Sequence, residues 1–155
     1  MNFVFLLAFG IGIVAGLRSL LAPAVIAWAA HFDLLNLNAS PLAFMGSRTA
    51  AVIFSILAVG ELIADKLPAT PKRTTLAPLL ARVLLGALSG ASLCLAAGTS
   101  LLVGALLGGI GGVIGAFVGY EVRRRIVNNL HIKDIFVALC EDAVTIGLAC
   151  FIVSR

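Results

Sequence analysis

The chain has 155 residues, 61% of them hydrophobic and 12% charged, with a formal charge of +4. Soluble domains carry about a quarter of their residues as charged side chains, and a fold of this length buries only about 70% of its unfolded surface. The apolar excess needs lipid as its solvent, which excludes a water-soluble domain; the basic residues stand at the ends of apolar runs with no basic, aromatic-interleaved face, which argues against a nucleic-acid partner.

In chain order, the apolar runs are Phe3 to Ala30, Thr49 to Ala64, Leu76 to Ala97, Leu101 to Tyr120 and Ile135 to Val153. Each approaches the roughly 20 residues that cross about 30 Å of hydrocarbon. The first has the length of a secretory signal, but it lacks a basic start and passes through Arg18 without a convincing cleavage site, so it reads as a retained helix. Pro23 cannot donate to the carbonyl of Ser19, and Gly16 weakens the same stretch. A kink or break in this helix around Gly16 to Pro23 is expected.

The connectors carry stop signals. His31 to Arg48, with Asn36, Asn38, Ser40 and Pro41, is the long one. Asp65 to Arg73 combines charges with Pro68 and Pro71, Thr74 or Thr75 then caps the next helix, and Pro78 falls in its first turn. Gly98-Thr99-Ser100 is a tight turn, and Val122 to Lys133 reads as a basic loop. The expected fold is an all-α, polytopic membrane protein of about five transmembrane helices, a single domain over residues 1–155.

With five crossings, Lys66, Lys72, Arg73, Arg123, Arg124, Arg125 and Lys133 share the side of the N-terminus, and Arg48 and Arg155 lie opposite. Positive charge stays inside. The expectation is therefore a bacterial inner (cytoplasmic) membrane protein with its N-terminus cytoplasmic and its C-terminus outside.

The fourth run carries Gly104, Gly108, Gly109, Gly111, Gly112, Gly115 and Gly119, overlapping small-residue ridges of the kind that bring helices together in lipid. Five helices enclose little volume, so this ridge is expected to help build a homo-oligomer. Gly10-Ile11-Gly12-Ile13-Val14-Ala15-Gly16 parallels Gly109-Ile110-Gly111-Gly112-Val113-Ile114-Gly115, and in each case the next helix carries acids. That is the trace an inverted repeat of helices 1-2 and 4-5 would leave. A dinucleotide fingerprint is excluded, because it needs a preceding strand.

Arg18, Glu61, Arg82, Glu141 and Asp142 fall inside the apolar runs, where translocon scales set about 2.5 to 3.5 kcal/mol against each at a helix centre. They should pair, face a cavity, or both. Their similar depth suggests one polar site in the inner half of the membrane, with the arginines favouring an anionic group and the acids able to carry a coupling proton. The bland alternative is a set of ion pairs holding helices together. Asp65 and Lys66 read as boundary anchors. Cys94, Cys140 and Cys150 form no C-x-x-C pair, His31 and His131 flank helix ends, and neither a metal site nor a nucleophile with its base emerges. No cofactor and no enzymatic activity are expected.

Gly16-Leu17-Arg18-Ser19 followed by Pro23, then Glu61-Leu62-Ile63-Ala64-Asp65-Lys66-Leu67-Pro68, Arg82 with Gly86-Ala87, and Glu141-Asp142 resemble a bacterial membrane-protein family catalogued as domain of unknown function 4126. The resemblance covers nearly the whole chain. It implies a multi-helix membrane protein and supplies no activity. The residues themselves point first to a small-solute or ion transporter, next to a non-transporting membrane scaffold, and third to a lipid-modifying enzyme.

Overall fold

The computed structural model describes residues 2–65, 75–130 and 134–155; Lys66, Lys72, Arg73, His131 and Lys133, with the Pro68 and Pro71 stop, lie outside these. Among the described residues the chain is all-helical: α1 (Asn2–Leu17), α2 (Leu21–His31), a 3-10 turn (Ala43–Gly46), α3 (Arg48–Ala64), α4 (Leu76–Ala96), α5 (Leu101–Leu130) and α6 (Asp134–Val153). Three stretches are long and apolar enough to cross a membrane, namely α4, Leu101–Asn129 of α5, and α6; Phe3–Leu17 and Leu21–His31 are shorter apolar helices. Large side chains such as Leu76, Leu84 and Val144 point outwards, while alanines fill much of the interior. That inversion suits a lipid surround, where close helix approach replaces the hydrophobic drive.

Local chemistry explains most of the boundaries. The Ser47 hydroxyl accepts from the Ala50 N–H at 3.1 Å and so caps α3. Thr75 is the N-cap residue of α4, with Pro78 in the first turn, where a missing N–H costs least. Gly98, at φ +66°, takes the left-handed conformation that turns the chain from α4 into α5. The expected loop after Tyr120 is instead largely helix: Val122 to Leu130 holds no Gly or Pro, and its arginines, Ile126 and Leu130 sustain α5.

The largest difference from expectation lies in the first apolar run. α1 stops at Leu17 and α2 starts at Leu21, so Phe3 to Ala30 is two helices rather than one. They form a hairpin. At about 1.5 Å per residue the 16 residues of α1 span about 24 Å, yet Leu34, Leu35 and Asn36 beyond the end of α2 line one cleft with Phe3, Val4 and Leu7 at the start of α1. The chain has therefore come back.

The remaining directions follow from paired contacts. Trp28 meets Ser55 and Ser19 meets Glu61, so α3 is antiparallel to α2. Arg82 reaches Gly16, so α4 opposes α1, and Gly10 beside Ile152 with Arg18 on Asp142 places α6 likewise. Gly12 lies on Gly108 and Gly16 on Gly112, so α5 runs parallel to α1. The six described α-helices alternate in direction, and Phe3 and Arg155 share one end of the bundle.

Three expectations are corrected by this topology. The N-terminus stands with Arg48 and Arg155, not with Arg123 to Arg125, because the hairpin adds a reversal. The two glycine-rich segments run side by side in the same direction, so their likeness is that of packing partners and not of an inverted repeat. The ridge of α5 is also used within the chain: a Cβ on Gly16 would lie 2.5 Å from the Gly112 carbonyl oxygen, and one on Gly86 would lie 2.6 Å from that of Gly108. It does not lie open to a second copy.

Candidate functional site

A chain reversal inside an apolar bundle leaves the last carbonyls of one helix and the first N–H groups of the next without helical partners. Here charged side chains supply them. Arg82 of α4 donates from Nη1 to the carbonyls of Gly16 at 2.7 Å and Leu17 at 3.0 Å. The carboxylate of Glu61 on α3 accepts from the backbone N–H groups of Ser19 and Leu20, each at 2.8 Å, and from the Ser19 hydroxyl at 2.6 Å. A cation thus sits at the C-terminus of α1 and an anion at the N-terminus of α2, the signs the helix dipoles favour. Arg82 and Glu61 are 3.7 Å apart and close the clamp. Pro23 lies in the first turn of α2, so the break stands just upstream of it, at residues 18–20.

Arg18, carried by the turn, is the centre of a second group. Its side chain is 0% exposed. Nε donates to Asp142 at 2.7 Å, Nη1 donates to Asp65, and Nη2 lies 3.9 Å from Glu141. Arg123 of α5 then bonds Asp65 at 2.9 Å and Asp134 at 2.8 and 2.6 Å, and stands 3.7 Å from Glu141. The series climbs from Asp134, 58% exposed, through Arg123 at 16%, to the wholly enclosed Arg18. Acid and base alternate along it. Such a ladder carries charged side chains from the end of the bundle to its interior without placing an unpaired ion in lipid.

All five residues singled out from the sequence fall in this region, but in two roles. Glu61 and Arg82 bond the hairpin backbone, whereas Arg18, Glu141 and Asp142 form the buried ion cluster. Asp65 is corrected from boundary anchor to direct partner of Arg18. Its signal was present in the spacing: Glu61 and Asp65 are four apart and share a helix face. Arg123 and Asp134 were missed as site members because they flank a connector, where no periodicity links them. His31 bonds the Gly46 carbonyl at 3.2 Å through Nδ1, far along α2 from the cluster. Cys94, Cys140 and Cys150 are free thiols.

A family model described as a domain of unknown function, DUF4126, matches residues 5–154. The chain belongs to the DUF4126 family. No curated protein and no solved structure matches it. The DUF4126 match takes in the hairpin turn, Glu61 to Asp65, Arg82, Arg123 and Glu141-Asp142, so both halves of the site belong to the family region. Membership brings no activity with it, and function has to be argued from the geometry.

Proposed function

We propose that this DUF4126 protein is a membrane transporter that passes a small solute or ion through the Arg18 centre, with a coupling proton carried by the surrounding acids. One observation supports this above the others. Arg18, wholly buried, pairs with Asp142 and Asp65 and stands 3.9 Å from Glu141, and the ion pairs run on through Arg123 to the exposed Asp134. Ionisable side chains inside an apolar bundle are costly, and a connected series of them open at one end is the arrangement that ion and proton pathways use. No catalytic role is proposed.

The reading includes a place in the bacterial inner membrane. Arg123, Arg124 and Arg125 stand at the Arg18 end; Lys66 directly follows Asp65 and Lys133 directly precedes Asp134 in the chain. Positive charge favours the cytoplasm, so we place the Arg18 end inside and both termini outside. Reporter fusions after residues 35, 99 and 155 should then report outside, and those after residues 70 and 128 inside. A tag on the N-terminus that reports the side opposite to the reporter after residue 35 contradicts the hairpin.

Transport itself is tested by reconstituting the purified protein in liposomes and screening small anions, cations and metabolites at several pH values. A solute carried by the native protein should be carried poorly by Arg18→Gln and Glu141→Gln variants that fold normally. Equal flux through both removes the Arg18 centre from the pathway. A scaffold reading is favoured by the Glu61 and Arg82 caps, which need no substrate. Under it no solute moves and the variants lose only stability. A homo-oligomer stays in the proposal through the outer face of α3, where Ile56, Val59 and Ile63 are exposed; detergent-corrected mass tests it, and a monomer in native-like lipid removes it.

A further inference from the structure

α5 and α6 stand apart along a groove of about 420 Å³ whose floor is Ile13 and Leu17 of α1. That lies within the roughly 300–1,000 Å³ of small-molecule sites. Its lining is largely apolar, and its charged members, Arg123 and Glu141, stand 3.7 Å apart and already belong to the ion cluster. An occupant of the groove therefore meets hydrocarbon. Any charge it carries has to be met at the mouth.

The mouth holds such a partner. Ile114, Val118 and Val122 form one wall of the groove, and Arg125 follows Val122 by three residues on the same row of α5. Its side chain is 72% exposed, and among the described residues only its Nε is engaged, by Glu121 at 2.8 Å. Glu121 also faces Arg124 at 3.6 Å, so one carboxylate stands against two guanidiniums and a positive charge is left over. Asp134, at the start of α6, is bound by Arg123 and does not offset it. The rise from Ile114 to Arg125 is about 16.5 Å, close to the roughly 15 Å that one leaflet contributes to a hydrocarbon core of about 30 Å. The groove is thus an apolar trough one leaflet deep, with a spare guanidinium at the level of the lipid headgroups.

We infer that the groove holds one acyl chain of an anionic phospholipid whose phosphate is bound by Arg125. The two free oxygens of a phosphodiester meet the Nη1 and Nη2 donors that Glu121 leaves open, in charge-assisted bonds. A zwitterionic head brings its own cation to a corner that already holds the Arg124 charge. Basic pockets between helices at the inner surface are where anionic heads bind. The second chain stays in the surrounding bilayer. The lipid closes the lateral opening between α5 and α6, whatever the Arg18 centre carries.

Cysteine alkylation provides the test. Cys140 lines the groove, Cys150 is exposed on the same helix outside it, and Cys94 is buried. The full chain in maltoside micelles is treated with N-ethylmaleimide while dioleoyl phosphatidylglycerol, dioleoyl phosphatidylcholine or glycerol 3-phosphate is added. With phosphatidylglycerol at about four times its dissociation constant, mass action predicts roughly fivefold slower modification of Cys140. Cys150 should not change. Phosphatidylcholine at the same mole fraction and the chainless phosphate should leave Cys140 reactive. Arg125→Gln, at an exposed position, should remove most of the protection, while Arg155→Gln, at the opposite end of the bundle, should keep it.

Equal protection by phosphatidylcholine, no protection by phosphatidylglycerol, or full protection in Arg125→Gln overturns the inference. Protection that grows with protein concentration in the absence of lipid assigns the groove to a second copy of the chain and overturns it too. The flux assay is read apart from this. Protection of Cys140 with no solute transported removes transport alone, whereas Arg18-dependent flux without protection by phosphatidylglycerol removes the lipid assignment alone.

Discussion

Where α1, α4 and α5 meet, the contact is backbone against backbone, whereas 16 to 20 residues into the chain the hairpin turn is held by side chains from three other helices. At the first place Gly12, Gly16, Gly86, Gly90 and Gly108 let carbonyls and α-carbons touch. At the second, Glu61, Arg82, Asp142 and Asp65 are drawn from α3, α4, α6 and the end of α3 to one turn. The difference follows from what each place leaves unsatisfied. Intact helices satisfy their own backbone and need only shape to associate in lipid. A broken helix exposes polar groups that must find partners, and charged ones found here bring an ion cluster with them. The packing region can be rigid and chemically silent, while the turn holds the chemistry.

The sharpest way to break this comparison is to put a side chain into the packed region. Gly108 lies between α1 and α4, and a Cβ there would strike the backbone of Gly86, which has no flexible end to move aside. Gly108→Ala is expected to cost about 3 kcal/mol, the upper part of the usual overpacking range, and Gly108→Leu to abolish the folded state. Gly147 on α6 has nothing within 4 Å of an added Cβ. Gly147→Ala should leave stability unchanged or raise it by up to about 1 kcal/mol through helix propensity. Thermal unfolding in detergent measures both, and equal effects at the two glycines would mean that close backbone approach is not what holds the bundle.

An intermediate effect is expected at the clamp. Arg82→Gln keeps some hydrogen-bonding capacity but loses the charge that faces two carbonyls and Glu61. Charged hydrogen bonds contribute about 1.5–3 kcal/mol each, so a loss of about 2 kcal/mol is expected, accompanied by faster hydrogen exchange at residues 18–20. A variant as stable as the native protein would show that the carbonyls of Gly16 and Leu17 need no cation.

Much of the architecture could be read before any coordinates, and the failures share a cause. Thr49, Leu76, Leu101 and Ile135 mark helix starts to within a residue, because caps, prolines and glycines act locally. Gly16 and Pro23 bracketed the break for the same reason. Its outcome, reversal instead of a kink, was not legible, since it depends on Glu61 and Arg82 arriving from elsewhere in the chain. The expectation that the N-terminus shares a side with Arg123 to Arg125 failed with it. Arg18, Glu61, Arg82, Glu141 and Asp142 stood out because charge is conspicuous against an apolar background. Asp65 and Arg123 did not, because a charge beside a proline-bearing connector or within a basic run looks like an ordinary helix end.

The smallest expected effect tests whether the clamp acts mainly on backbone or on side chain. The Ser19 hydroxyl gives Glu61 a third hydrogen bond, at 2.6 Å, beside those from the Ser19 and Leu20 N–H groups. Ser19→Ala removes that bond and leaves both backbone donors satisfied, so no buried polar group is stranded. The loss should be about 1 kcal/mol, near the net value of one hydrogen bond, with no change in the direction of α2 and none in reporter topology. Glu61→Ala removes the acceptor for all three groups and should cost more than the serine change, because two buried N–H groups then lack a partner. If Ser19→Ala matches Glu61→Ala, the hydroxyl and not the backbone is the principal ligand of Glu61. The hairpin would then be held by a single side-chain contact, and the contrast with the glycine packing would rest on Ser19 rather than on the broken helix.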